Sequence, residues 1–63
     1  SRVGSDVAKT MEMIAKSNEE LDALIADLEK RVGAIEKPTR KQLEMLEGAK
    51  MSIDLVKRYK AQN

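Results

Sequence analysis

Cysteine, histidine, tryptophan and phenylalanine are all missing from this 63-residue sequence, and proline and tyrosine occur once each. Without cysteine there is no disulfide and no thiolate zinc site. Without histidine the usual general base is gone, and one aromatic, Tyr59, gives two helices nothing to shape a pocket with. An enzyme is not expected, and neither is a cofactor or a metal. Charge of one sign is lacking too. Twelve basic and eleven acidic side chains nearly cancel, at net +1, so there is no basic face for a nucleic acid. No apolar run approaches the roughly 20 residues of a membrane span, and no signal-peptide pattern is visible. Membrane insertion is therefore not expected, and a cytoplasmic location is the default.

What the chain does have is a row. Read at spacings of four and three, Val7, Met11, Ile14, Asn18, Leu21, Ile25, Leu28, Val32 and Ile35 form one stripe. Met11, Asn18, Ile25 and Val32 fall at heptad position a, and Val7, Ile14, Leu21, Leu28 and Ile35 at d. Such a seam belongs to a helix that lies along other helices, which points to an interaction protein. A chain this short buries only about 60% of its unfolded surface, so its stability must come from helix packing, within the chain or between chains.

The spacing predicts an all-α, coiled-coil-like antiparallel hairpin, a single domain over 1–63, that associates into a larger helical bundle. Ser1 to Gly4 reads as a loose lead, and Ser5 as an N-cap with Asp6 in the first turn. The first helix is expected over 6–32 without a break. Gly33 is the expected C′ residue, preceded by Lys30 and Arg31. A turn over 33–39 contains Pro38, which pushes Lys37 out of helical backbone. Thr39 and Gln42 form an S/T-x-x-E/Q capping box, with Pro38 and Leu43 at the staple positions. The second helix is expected over 40–61, with the stripe Leu46, Ala49, Ile53, Val56 and a frayed end at Asn63. Residues 6–32 carry four basic and seven acidic side chains, and residues 40–61 six and three, so the helices have opposite charge. That favours their pairing modestly.

Several residues do not fit a simple hairpin. Asn18 is the polar position in the row. It either sets register and oligomeric state, at a cost in stability, or stands half exposed and bonds the second helix. Met13, Leu24, Met45, Met51 and Leu55 lie off the two stripes, and a hairpin cannot cover them all. They are the candidate partner-binding residues; self-association into a four-helix bundle would cover them equally. Gly48, Ala49 and Ser52 make a small-residue notch, for close helix approach or merely an exposed glycine. Glu19, Glu20, Asp22, Asp27 and Glu29 read as a solvated acidic face, since their spacing matches no metal loop. Lys57, Arg58 and Lys60 suit a helix C-terminus.

Leu21-Asp22-Ala23-Leu24-Ile25-Ala26-Asp27-Leu28-Glu29-Lys30, Gln42, Leu46-Glu47-Gly48-Ala49, Ser52-Ile53-Asp54-Leu55-Val56 and Tyr59 carry a resemblance. From Leu21 on, about two-thirds of the chain resembles the YscE/PscE family of type III secretion needle co-chaperones. The resemblance implies a cytosolic helical hairpin that pairs with a helical-repeat chaperone and keeps the needle subunit from polymerising early. Pro38 departs from it, standing where glycine and small polar residues are expected. The functional expectation is a helical protein-binding module, in particular such a co-chaperone. The alternative is a homo-oligomerisation coiled coil or ROP-like four-helix-bundle dimer. The partner is another protein or a second copy of the chain.

Overall fold

The computed structural model describes residues 2–62, with side chains from Gly4 onward. It is all-helical among the described residues, but it has three helices where two were expected. They are α1 (Arg2–Ala15), α2 (Asn18–Gly33) and α3 (Arg40–Gln62).

The helix expected over 6–32 is broken at Lys16-Ser17, and the cause is local. Ser17 adopts extended backbone, φ −71° and ψ 162°, and caps α2. The Glu20 backbone N–H donates to Ser17 Oγ, and the Ser17 N–H donates to Glu20 Oε1, both at 3.2 Å. This is a reciprocal capping box, which satisfies two orphan donors at a helix start. Across the break, Lys60 of α3 donates its ammonium to the Lys16 carbonyl. A cation there also complements the C-terminal dipole of α1.

Two smaller expectations are also corrected. α1 starts at Arg2 and runs straight through Ser5 and Asp6, so neither opens a helix. Gly33 is the last residue of α2, not a left-handed C′ glycine. Ala34 caps the helix in ordinary right-handed backbone, and its N–H donates to the Lys30 carbonyl. The expectations for Ser1 and Asn63 lie outside the described residues. The second capping box stands as read: the Gln42 N–H donates to Thr39 Oγ1 at 3.1 Å, and the Thr39 N–H donates to Gln42 Oε1 at 2.8 Å.

The short connection after Gly33 returns the chain antiparallel, so α2 packs along α3. Two ion pairs, Asp22–Lys57 and Glu29–Lys50, cross between them. The acid moves seven residues forward as the base moves seven back, which is the signature of antiparallel register. α1 packs on α3 as well, near its C-terminal end. The core is where all three meet. Leu21, Ile53 and Val56 are buried, and Met13, Ile14 and Ile25 pack against them.

Candidate partner-binding surface

The α2–α3 pair has two unlike faces. One is lined by Asp22, Ile25, Glu29, Lys50, Ile53, Asp54 and Lys57. The cross-helix ion pairs Asp22–Lys57 and Glu29–Lys50 span it. Lys50 lies 3.2 Å from Glu29 and 3.6 Å from Glu47, and these carboxylates, Glu29 first, hold its ammonium pKa above the ordinary value. The opposite face is apolar and open. Leu28 and Val32 of α2, with Ile35 just beyond its end, face Met45, Leu46 and Ala49 of α3 across a groove, with Arg31 and Gln42 at its edge. A second hollow shares Leu28, Arg31 and Ala49 with this groove and extends it to Leu24, Ser52 and Met13.

The off-stripe residues divide accordingly. Leu24 and Met45, 43% and 68% exposed, lie on the continuous apolar surface. Met13 borders the same surface but is half buried and packs on the core, so it is not left over as expected. The break turns α1 so that Met13 and Ile14 both reach α3. Leu55 lines a separate hollow with Thr10, Ile14, Val56 and Tyr59, where α1 crosses α3. Met51 is 67% exposed on α3 and borders neither surface. Sequence reasoning placed Leu28, Val32, Leu46 and Ala49 in a closed seam. They are only half buried and form the floor of the groove.

Asn18 is the first residue of α2 and is exposed, beside Glu19, Lys57, Lys60 and Ala61. The polar position of the row thus coincides with the point where the row bends. The signal missed in the sequence was Ser17-Asn18-Glu19-Glu20, a second S-x-x-E box inside an uninterrupted apolar stripe. Glu20 carries an electrostatic mark of that box. Hydrogen bonds from the Ser17 backbone and hydroxyl lower its pKa, with smaller help from Lys16 and Lys60. The rest of the acidic cluster is largely used in pairs: Asp22 and Glu29 bridge to α3, and Asp27 meets Arg31 at 2.9 Å. Among the described residues no group of three or more acids converges on a point, and no helix is long and apolar enough to cross a membrane.

The chain exposes more surface than a compact fold of its size. Its accessible area is 5307 Å², against about 4,000 Å² for a compact 7.0 kDa monomer. Its radius of gyration is 13.0 Å, against about 10.6 Å for a compact 63-residue domain. Val7, Met11, Leu43 and Tyr59 are each about half exposed or more, besides the residues above. No family model matches the chain, and neither curated proteins nor solved structures give a match.

Proposed function

We propose that the chain is a helical protein-binding module that seats an apolar helix of a partner protein in the α2–α3 groove. The observation that carries this is the contrast between the two faces. One is spanned by charge pairs, while the other presents Leu24, Leu28, Met45 and Ala49 in an apolar channel. A groove between two helices suits an amphipathic third helix, with apolar anchors one turn apart. Methionine at its edge adapts to such a guest.

The specific form we favour is a cytoplasmic co-chaperone of a type III secretion needle subunit. The YscE/PscE resemblance starts at Leu21 and implies a helical hairpin, and the α2–α3 pair is the part of the chain it covers. Leu24→Glu combined with Met45→Glu tests the module. Both side chains are exposed, so helicity should be retained, while a partner co-purified by the wild-type chain should be lost. A partner that stays bound to the double variant would refute the groove. Mixing the chain with a needle subunit and its helical-repeat chaperone tests the specific form, which requires a raised melting temperature.

A further inference from the structure

We infer that α1 is an exchangeable arm, which straightens at Lys16-Ser17 and packs on α3 of a second copy of this chain. The heptad row runs through the break without losing a residue: Ile14, Asn18 and Leu21 keep the four-three spacing on either side of it. A bend built only to end one helix and start another has no need to preserve that phase. A continuous helix has, because phase keeps Val7, Met11 and Ile14 on the same face as Leu21 and Ile25. In the bent chain that face is poorly used: Ile14 reaches the core, but Val7 and Met11 remain 54% and 64% exposed. Straightened, α1 would leave its own α3 and project past Gln62, the last described residue of that helix. A twofold-related copy would receive it. Both long helices would then run antiparallel, with Val7 and Met11 of each arm against the partner's long helix, while each arm takes on the partner's α3 the place it now has on its own. Surface is available for this. The excess over a compact monomer is about 1,300 Å² per chain, against the roughly 800 Å² per partner that a standard interface covers, so a dimer seam can form with several hundred Å² left for the groove. Exchange of an element through a short hinge is a low-cost route to such a dimer. It leaves the α2–α3 groove open, so it does not rest on the hetero-partner proposed above.

Two substitutions push the hinge in opposite directions. Asn18→Pro locks the bend: proline is favoured at the first helical position, and Ser17 already has the extended backbone that proline requires of its predecessor. Ser17→Ala removes the cap and favours the straight helix. Loss of such a cap is about a fivefold shift per hinge, so the dimer dissociation constant should fall about 25-fold. Exchange itself is read by mixing a Thr10→Cys chain with a Tyr59→Cys chain, since these positions flank one hollow in the bent fold. The expected result is a disulfide joining the two different chains in the dimer, stronger in the Ser17→Ala background and abolished by Asn18→Pro, with circular dichroism showing that both backgrounds remain helical. Dimers without the mixed link overturn exchange while leaving the groove proposal standing. A mixed link that survives Asn18→Pro, or a monomer at millimolar concentration even with Ser17→Ala, also overturns it.

Discussion

Leu21 gives the sharpest test of where this fold is secured. It has 0% exposure and forms one cluster with Ile53 and Val56 of α3, against which Met13, Ile14 and Ile25 pack, so among the described residues it is the most deeply buried apolar side chain where the three helices meet. Truncating a leucine at such a site removes its transfer free energy and leaves a cavity, at a cost of about 2.5–5 kcal/mol. A chain of this length has about 3–9 kcal/mol in total. Leu21→Ala should therefore remove about a quarter or more of the stability and lower the melting temperature by about 10 °C or more. Leu24, one turn along α2, is 43% exposed and supplies the control. Leu24→Ala should cost about 1 kcal/mol or less, because most of what it loses is already in contact with water. Melts followed by circular dichroism at 222 nm, at concentrations low enough that the midpoint no longer depends on concentration, compare the two. Equal costs would refute the packing described, since they would mean that the row and its flank are equally buried or equally bare.

Two further outcomes follow from the local geometry. A β-carbon added at Gly48 meets nothing within 4 Å, so Gly48→Ala in mid-α3 should stabilise the isolated chain by about 1 kcal/mol in a urea melt; a loss would show that another helix approaches closely there. Glu20 has a folded pKa below its ordinary value near 4.5, owing to the Ser17 hydrogen bonds, so its contribution is complete above that value and is lost as pH falls through the lower folded one. Acid titration of helicity should thus show a loss below pH 4.5 that Glu20→Gln diminishes, and an undiminished loss in that variant would count against the box.

The α2–α3 hairpin was legible because its signals are redundant. The Thr39 box, Pro38 before it, the stripe Leu46-Ala49-Ile53-Val56 and the opposite helix charges all call for the same reversal; the box appears as two hydrogen bonds, Ile53 and Val56 of the stripe as buried core, and the charges as two cross-helix ion pairs. The candidate surface was legible only in part. Leu24 and Met45 are exposed on one surface, but nothing in periodicity tells whether a half-buried seam residue such as Leu28 closes against α3 or lines an open groove. That depends on how far apart the helices stand and on whether a third element covers them. Here α1 reaches only the C-terminal end of α3, so the groove near Ile35 and Met45 stays open.

The break at Lys16-Ser17 was missed for a different reason: the unbroken apolar row masked the Ser17-x-x-Glu20 box. Periodicity reports the phase of side chains, and phase is the same whether a helix bends at Ser17 or continues. Capping reports where backbone donors go, and Ser17 with Glu20 offers them a local partner. Box and cap of this kind are worth about 0.5–2 kcal/mol. Against that, continuing the helix through Lys16, Ser17 and Asn18 recovers backbone hydrogen bonds at about 0.5–1.5 kcal/mol each, less the modest helix propensity of serine and asparagine. The two sums are nearly equal, so local terms leave the choice to packing. In the single chain packing favours the bend, because it brings Met13 and Ile14 onto Leu21 and Val56 and lets Lys60 reach the Lys16 carbonyl. A second copy that covered Val7 and Met11, as proposed above, would reverse that preference, with Ala15 to Glu20 as the hinge.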